Sequence, residues 1–438
     1  MFRLNNKDEL TPELIKRMVY KFRQLDLPRL IKLKDYYLNK PDILKRVQAD
    51  PTKPNNKVVH PFSQYITDTL CGYFMGEPVT YSGSEAGIDE LKLVLEYNDE
   101  QNENMELAKN CSIYGRAWEL MYIDSEGQIR FRLINPTQCF GIYDDSLTAD
   151  LMYFVRMYKA NDWNDSDLYN VDVYSDYNIK HYTMEGKNGY LHFVADEPHY
   201  FSQCPANIFV LPDEKSIYDC VMGLQDAVNE IVSAEIDDYS AFCDAYLALY
   251  GVDAEPEDVA LMKQNRVLAL PEGATAAWLT KNANDTQVEN IVKRIHDSIY
   301  RIASCPDFSS ETFVGGVSSG IAIRYRLTGM ETRGAKIVAE MKKALQRRIE
   351  IICGIASLKY GEEVFRDIEI TFKRNIPEDM TTTINMINSL KGTVSDATLL
   401  GLLPFVSDVN SEIEAVEAQK RANMAMYEFG TAEESNDE

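Results

Sequence analysis

Residues 284–356 have the sequence NDTQVENIVKRIHDSIYRIASCPDFSSETFVGGVSSGIAIRYRLTGMETRGAKIVAEMKKALQRRIEIICGIA, and this stretch decides the fold. Apolar residues recur at spacings of three and four over 284–303, which predicts an amphipathic helix. Pro306 ends it, because proline lacks a backbone donor and disfavours helical geometry before it. A second, longer helix begins after Ser318 or Ser319, either of which can cap it. Two long helices joined by a hydroxyl- and glycine-rich loop indicate a part that contacts a passing molecule.

The composition is that of a folded and acidic protein. Its 438 residues allow two or three domains, and 45% of them are hydrophobic. The formal net charge is -24. A general DNA-binding protein needs a basic surface to displace counterions from phosphates, so any contact with DNA is expected to be local or weak. The acidity also favours solubility.

Cysteine usage and the N-terminal sequence indicate the cellular compartment of the protein. Eight cysteines are scattered without a C-x-x-C pair, which disfavours a zinc site or a disulfide framework and predicts reduced, mostly buried thiols. The start of the chain has no signal-peptide pattern, and no apolar run approaches the ~20 residues of a membrane span. We therefore expect a soluble protein made in the cytoplasm, with no membrane partner.

The N-terminal part of the sequence predicts helices. Thr11 followed by Pro12 is typical of a capped helix start, and Gly76 with Pro78 is typical of a helix end. The expected helices cover 13–25, 28–39, 62–73 and about 87–110.

From residue 116 the apolar period changes to two, which predicts antiparallel strands. RAWELMYID and QIRFRLI form a hairpin around Ser125-Glu126-Gly127. Further strands are expected near 151–158, 170–174, 179–183 and 190–194. The alternating stretch EVFRDIEITFKRN, 363–375, is expected to return to the same sheet. The fold class is therefore α+β.

Two helical stretches carry opposite charge. Residues 213–251 predict one long helix with nine acidic residues against Lys215 alone, a net charge of 1 − 9 = -8. Residues 321–350 hold eight Lys or Arg against three Glu, a net charge of 8 − 3 = +5. This contrast suggests matching between subunits of an assembly, while a DNA-facing stripe and a solvated face remain alternatives.

No stretch of the sequence predicts catalysis. GMETRGAK, 329–336, superficially resembles a phosphate-binding loop, but Ala335 occupies the lysine position and the segment lies inside a helical pattern. Two helix glycines that permit a bend or close packing are the favoured interpretation. The five histidines show no HExxH spacing, and His296 is expected on a polar helix face.

Adjacent carboxylates are the remaining candidates for chemistry. Asp144-Asp145 and Asp237-Asp238 could hold a divalent metal. Such doublets are frequent in an acidic chain, so solvated surface is favoured for both. We predict no catalytic residue, no cofactor site and no metal site.

Four stretches, in this order, resemble the portal proteins of tailed bacteriophages, especially those of siphophages that infect Gram-positive hosts. They are NNKVVHPFSQYITDTLCGYFMGEPVTYSG (55–83), CSIYGRAWELMYID (111–124) with INPTQCFGIYDD (134–145), PDFSSETFVGGVSSGIAIRYRLTGME (306–331) and LLPFVSDVNSEIE (402–414). Together with the order of elements they cover nearly the whole chain.

The resemblance implies a portal fold with long stem helices, an antiparallel β wing, a small α/β clip and a helical crown. The implied boundaries are 1–212 for the wing, 213–251 for the first stem helix, 252–283 for the clip, 284–304 for the second stem helix, 305–317 for the tunnel loop, 318–377 for a long helix and a strand returning to the wing, 378–427 for a short crown, and 428–438 for a disordered acidic tail.

The same resemblance implies the function. Twelve identical subunits would form a ring at one capsid vertex of the virion, assembled in the host cytoplasm, through which double-stranded DNA is packaged and later ejected. Implied partners are the large subunit of the terminase motor, a head-completion or adaptor protein, and the major capsid and scaffolding proteins. ATP hydrolysis would belong to the motor, so the chain itself is expected not to be an enzyme.

Two groups of residues are implied to face the DNA channel, with weak and sequence-independent contacts. The tunnel-loop group is Asp307, Phe308, Ser309, Ser310, Glu311, Thr312, Phe313, Val314, Gly315 and Gly316. The acidic stem group is Asp226, Glu230, Glu235, Asp237, Asp238 and Asp244. Acidic side chains would repel the phosphate backbone and keep the DNA centred.

Two alternatives belong to other classes of function. One is a metal-dependent DNA-processing enzyme that uses the acidic doublets. The other is a head or neck structural protein without a channel.

Overall fold

The computed structural model describes residues 2–5, 8–51, 53–83, 85–159, 167–186, 189–242, 246–251, 273–279, 285–309, 320–360, 367–375, 380–403, 406, 409 and 411–421. The chain divides into two units. The first comprises Met1–Leu27, Asp68–Lys215 and Pro306–Glu438, and the second comprises Pro28–Thr67 and Ser216–Cys305. Most of the predicted clip and tunnel loop, and the whole predicted acidic tail, lie outside the described residues.

The described strands are β1 (Phe2–Arg3), β2 (Thr80–Ser82), β3 (Arg116–Ile123), β4 (Ile129–Ile134), β5 (Cys139–Tyr143), β6 (Leu151–Lys159), β7 (Leu168–Tyr174), β8 (Asn178–Glu185), β9 (Leu191–Pro198), β10 (Ala206–Val210), β11 (Tyr246–Tyr250), β12 (Thr275–Leu279) and β13 (Glu369–Thr371). Their sheets have the orders β1-β5-β6-β7-β8-β9, β10-β3-β4, β11-β12 and β13-β2. Pairing is antiparallel throughout except between β1 and β5.

The described α-helices are α1 (Pro12–Lys21), α2 (Leu27–Tyr37), α3 (Phe62–Met75), α4 (Glu85–Tyr97), α5 (Glu100–Tyr114), α6 (Met222–Phe242), α7 (Asp285–Ala303), α8 (Gly320–Tyr360), α9 (Met380–Leu390) and α10 (Asp396–Leu400). Residues 411–421 are also helical. The mixture of helices and antiparallel sheets confirms the predicted α+β class. None of the described helices is long and apolar enough to cross a lipid bilayer.

The first unit has a core between its sheets. Trp118 on β3 is 2% exposed and packs against Phe154 of β6, with tilted rings whose centroids are 4.9 Å apart. Tyr143 and Tyr174, on β5 and β7, belong to the same buried cluster. The alternating apolar residues therefore face this core, as the period of two predicts.

The predicted hairpin is confirmed. β3 and β4 pair from Trp118↔Ile134 to Ile123↔Ile129. Gly127 in the turn has φ +77°, a left-handed conformation that favours glycine. Asp124 Oδ1 accepts hydrogen bonds from two backbone N–H groups of the turn, at 3.0 and 2.9 Å. The turn is therefore built by glycine and an aspartate side chain.

The strand predicted over 363–375 has a different partner from the one expected. Among the described residues 367–375, Glu369–Thr371 form a strand, and β13 pairs with β2 instead of the six-stranded sheet. Ile370 and Tyr81, which face each other in this pair, are both buried. Just after the strand, Arg374 donates to Glu331 on α8 at 3.0 Å. These contacts hold β13 beside β2, so the predicted return to the larger sheet is wrong.

Two predicted helix breaks differ from the structure. Pro28 does not separate two helices by a loop, since a π-turn at Phe22–Asp26 leads directly into α2. A π-turn changes the hydrogen-bond pattern where proline supplies no donor.

The helix predicted over 87–110 is in fact two helices, because Asp99 adopts a left-handed conformation with φ +53°. Asn98 beside it accepts from Phe131 N at 3.1 Å.

The helix predicted over 213–251 is shorter than expected. Asp213 and Glu214 have φ values of +61° and +51°, which no α-helix accommodates, and α6 begins only at Met222. At the other end, Tyr246–Tyr250 is the strand β11, paired with β12. YLALY is a short, continuous apolar run rich in aromatic residues, which is consistent with a strand.

Arg348 on α8 is fully buried in the first unit. Its Nε and Nη2 lie 3.0 and 2.8 Å from the two carboxylate oxygens of Glu119 on β3. Nη1 donates to Asn104 on α5 at 2.7 Å and lies 3.3 Å from Glu100. The guanidinium also packs over the Phe131 ring, 4.5 Å from its centroid. One side chain thus joins α8 to α5 and to the three-stranded sheet.

The charges around Arg348 are balanced. Burial disfavours the charged guanidinium, but the neighbouring carboxylates of Glu119 and Glu100 outweigh it and raise the pKa of Arg348 above its ordinary value. Burial also raises the pKa of Tyr81 well above its ordinary value. Its neutral phenol donates to Glu100 at 2.5 Å. The cluster therefore keeps its charges paired in a site without solvent access.

The glycines of GMETRGAK lie inside α8, as the alternative to a phosphate-binding loop predicts. A Cβ at Gly334 would overlap the ring of Phe74 on α3. Phe74 is 2% exposed and cannot move without disturbing the core. Gly334 therefore lets α8 pass close to α3.

Removing the guanidinium of Arg348 should strongly destabilise the fold. Arg348→Met leaves Glu119 buried and unpaired, so we expect the free energy of unfolding to fall by about 3–5 kcal/mol in urea unfolding. Arg347→Met is the matched control, because Arg347 is half-exposed and pairs with Glu350 in a surface contact, worth about 0–1 kcal/mol. Equal losses in the two variants would contradict the structural role of the buried pair.

Adding one methyl group should distinguish the two kinds of helix glycine. Gly334→Ala should lower the free energy of unfolding by about 1–3 kcal/mol through overpacking against Phe74. Gly72→Ala in α3, where nothing lies within 4 Å, should instead raise it by about 0.5–1 kcal/mol. In a Phe74→Leu background the Gly334→Ala loss should shrink, and an unchanged loss would refute the proposed contact.

Candidate functional site

The second unit contains the two helices that were expected to flank the channel. α7 spans Asp285–Ala303, close to the predicted 284–303, and its Ile299 and Ala303 are fully buried. It ends where Ser304 adopts a left-handed conformation with φ +51°. The Cys305 N–H then bonds back to Tyr300 O at 3.1 Å. This turn completes the helix just before Pro306.

A buried polar face runs along α6. Gln225, Asn229, Ser233 and Asp237 recur every four residues, so they share one side of the helix. Each of the four is at most 8% exposed. Polar side chains buried in this way must find hydrogen-bond partners, and theirs lie in residues 56–63, the docked segment.

The docked segment bonds to this face at regular intervals. Asp237 accepts from Asn56 N at 2.6 Å, and Ser233 accepts from Val58 N at 3.0 Å. Asn229 accepts from His60 N at 2.8 Å. Two extended residues advance about 6.6 Å and four helical residues advance about 6 Å. The spacings nearly match, so alternate backbone N–H groups meet successive turns of α6.

Gln225 closes the polar face at the other end. Its side-chain N–H donates to His60 O at 2.9 Å, and its oxygen accepts from the Ser63 hydroxyl at 2.7 Å. These bonds fix the point where the docked segment enters α3. α6 therefore takes the place that a neighbouring strand would have in a sheet, by satisfying the backbone of an extended chain.

Asp237 is the charged member of this face. Arg46 Nη2 lies 2.7 Å from one carboxylate oxygen, and the other accepts from the backbone and side chain of Asn56. Desolvation by burial opposes ionisation, but these donors together outweigh it and lower the pKa of Asp237. The carboxylate therefore acts within the unit as an acceptor.

Asp226 and Glu230 also contact residues of the same unit. Both oxygens of Asp226 lie 2.7 Å from the hydroxyl of Tyr36, which is fully buried. Burial raises the pKa of Tyr36, and its bond to Asp226 adds to the effect. Glu230 is more exposed and lies 3.6 Å from Arg46 Nε.

The structure therefore divides the acidic stem group. Asp237 is buried and Asp226 is bonded to the buried Tyr36, whereas Glu230, which lies beside Arg46, and Asp238 are exposed, and Glu235 is half-buried. Asp244 lies outside the described residues. Charge alone did not indicate the polar residues at 225, 229 and 233. Their regular four-residue spacing, which continues to Asp237, was the available signal.

Aromatic rings connect α7 to the docked segment and the start of α3. The Phe62 ring lies 5.0 Å from that of His296 and 5.9 Å from that of Tyr300, both on α7. His60 and His296 are 5.9 Å apart in an edge-on arrangement. His296 thus packs among rings and is not on a plain polar face.

Three of the ten predicted tunnel-loop residues are described. Asp307 Oδ1 accepts from the Ser309 backbone N–H at 3.0 Å and from its hydroxyl at 2.6 Å. Phe308 between them is 40% exposed. This local turn follows α7 directly. Ser310, Glu311, Thr312, Phe313, Val314, Gly315 and Gly316 lie outside the described residues.

The first acidic doublet builds a turn. Asp144 Oδ1 accepts from the hydroxyl of Ser146 at 2.8 Å and from Asp150 N at 2.8 Å. Asp145 accepts from the side chain of Asn5 at 2.7 Å. Within the part of the chain that the structure describes, no group of three or more His, Cys, Asp or Glu residues is arranged to hold a metal ion.

Comparison with known proteins points to one family. Residues 20–425 match the family described as "Phage portal protein, SPP1 Gp6-like". The chain is 23% identical over 436 residues to the portal protein of Bacillus phage SPP1, covering 94% of this chain and 84% of that one. It is 21% identical over 413 residues to the portal protein of Clostridium phage phiCD119, covering 87% and 90% respectively.

The bonds of Asp237 make part of the stability dependent on pH. Because its folded-state pKa is lowered, its contribution is complete above the unfolded value of about 3.9 and is lost as pH falls through the folded value. Asp237→Asn should therefore unfold at a lower temperature than wild type at pH 7, and the gap should narrow below about pH 4. The neighbouring exposed residue supplies the control, Asp238→Asn. A gap for Asp237→Asn that is constant with pH would contradict this assignment.

Proposed function

The chain belongs to the SPP1 Gp6-like family of phage portal proteins, and from this membership we propose that twelve copies form a ring around a DNA channel at one vertex of the capsid. The match over residues 20–425 carries the proposal, because it covers nearly the whole chain. Double-stranded DNA passes through the ring during packaging and again during ejection. The protein is thereby a component of the virion.

In this proposal α6 and α7 form the stem around the channel. The clip is built from β11, β12 and the residues between them, and it contacts the large terminase subunit during packaging and the head-completion protein afterwards. Residues 305–317 form the tunnel loop. Residues 1–212 supply the wing, which contacts capsid and scaffolding proteins, and 378–427 supply the crown.

The proposed channel has to let DNA slide. Each phosphate that a protein neutralises adds affinity, so a basic channel wall would hold the duplex in place. α6 carries five acidic residues and no Lys or Arg, and among them Glu230 and Asp238 are exposed. Such a surface repels phosphates at close range and leaves the duplex free to move. This feature supports α6 as a wall of the channel.

The tunnel loop supplies the contacts that DNA meets during passage. Its hydroxyls and glycines suit weak bonds to phosphates without reading sequence. Glu311 opposes closer approach. The chain performs no chemistry itself in this proposal, since ATP hydrolysis is left to the docked motor. No cofactor or metal is required.

The proposal can be tested by removing the loop. Purified chain examined by mass photometry and negative-stain microscopy should give rings with a central hole and a mass of 12 × 50.0 kDa, about 600 kDa. Deletion of Ser309–Gly316 should leave these rings intact and abolish nuclease-protected DNA in capsids assembled with the variant.

A loop of equal length made of Gly and Ser is the control for chain connectivity. It should form rings and package at a reduced level. If the deletion variant packaged normally, the tunnel-loop assignment would be wrong. If the wild-type chain formed no ring even when co-assembled with its capsid and scaffolding proteins, the channel proposal itself would be wrong.

A further inference from the structure

A small cavity lies inside the first unit, beside the start of β3. Arg116 and Trp118 of β3 line it, together with Gly141 and Tyr143 of β5 and with Glu214. Its volume is about 10 Å³, and a single water molecule needs about 10–15 Å³ on the same measure. The cavity therefore has room for one water molecule and for no larger ligand.

Three side chains that line the cavity carry a polar group without a protein partner. Arg116 and Tyr143 are 6% exposed, and Trp118 is 2% exposed. Within the part of the chain that the structure describes, no atom forms a hydrogen bond with Arg116 Nε, Trp118 Nε1 or the Tyr143 hydroxyl. A buried donor without a partner costs free energy, and buried polar side chains nearly always have one. A partner common to all three would have to lie in the cavity that they share.

The rings of Trp118 and Tyr143 approach each other at Gly141. A Cβ added to Gly141 would lie 2.5 Å from Trp118 Cη2 and 3.0 Å from Tyr143 Cε2. Both rings are therefore close to one point of the cavity wall. Burial raises the pKa of Tyr143, and the charge of Glu214 adds to this effect. The phenol therefore stays neutral, so its oxygen can accept a hydrogen bond or donate one.

The chemistry of the lining selects the ligand. The Nε–H of Arg116 and the indole N–H of Trp118 can only donate, so the ligand must accept hydrogen bonds, which a metal cation cannot do. An anion would meet Asp26 and Glu214, which also line the cavity. These two carboxylates pair with Arg116 at 3.4 and 3.0 Å, and together they exceed its single charge. The ligand is therefore a neutral molecule, and water is the one that fits the volume.

We propose that one water molecule is bound in this cavity as a constituent of the fold. It accepts from Arg116 Nε and from Trp118 Nε1, and it donates to the oxygen of Tyr143. Three hydrogen bonds are the usual number for a buried water. This site lies within one subunit, so it goes beyond the proposed function and does not depend on assembly of the ring.

The bound water supports the turn at Asp213 and Glu214. Both residues have positive φ values, +61° and +51°, which are strained for residues with a side chain. Arg116 Nη1 lies 3.0 Å from the Glu214 carboxylate and holds the turn in this conformation. The water fixes the same guanidinium through Nε, so it stabilises the turn indirectly.

The electron density of a crystal structure tests the site directly. In crystals of the full chain, a single peak should lie within about 2.7–3.2 Å of Arg116 Nε, Trp118 Nε1 and the Tyr143 oxygen. Crystals soaked in bromide provide the control, because an anion site would give an anomalous peak at this position. A bromide peak there, or no density between the three side chains, would overturn the proposal.

Thermal unfolding of Tyr143→Phe is an independent test. If the hydroxyl bonds to the water, its removal should lower the midpoint of unfolding by about 2 °C. If the hydroxyl has no partner, its removal should leave the midpoint unchanged or raise it, and that result would contradict the proposal. Tyr177→Phe is the matched control, because Tyr177 is 75% exposed and its variant should unfold at the wild-type midpoint.

Discussion

The bond between Arg348 and Glu119 is the contact on which the first unit depends. α8 has 41 residues, and a helix of that length needs a fixed point if movement at one end is not to displace the other. The guanidinium supplies this point, because its donors reach β3 and α5 while its plane packs on Phe131. Replacing such a pair with apolar residues can preserve stability, but losing one partner leaves a buried charge. The pair therefore fixes the position of α8, and the loss of either partner alone destabilises the unit.

The period of the apolar residues was sufficient to predict most elements. The hairpin around Gly127, the strands β6 to β9 and the helix α7 follow from spacing and turn residues alone. Predictions failed where tertiary contacts decide. β13 pairs with β2 because Arg374 and Ile370 have partners in α8 and β2, and these residues are distant in sequence. The break at Asp99 depends on the hydrogen bond of Asn98 to Phe131, which is 33 residues away in sequence.

The candidate site shows the same division. Charge alone indicated that α6 is acidic, but charge does not distinguish a carboxylate in solvent from one that binds a neighbouring segment. Asp237 and Asp226 are of the second kind, and only the positions of Arg46 and Tyr36 reveal it. The sequence alone could not predict that residues 56–63 bind a helix that begins at residue 222. The tunnel loop was identified by resemblance, since glycines and hydroxyls alone fit many loops.

The docked segment has a consequence for how α6 can move. Each residue turns an α-helix by about 100°, so the side from Gln225 to Asp237 rotates by about 1200°, which is about 120° beyond three full turns. The docked segment must follow that rotation, so it winds around α6 by a third of a turn. Sliding α6 along its axis and twisting it about that axis would each break every bond at once. If α6 tilts, the docked segment therefore moves with it, and the two behave as one rigid element.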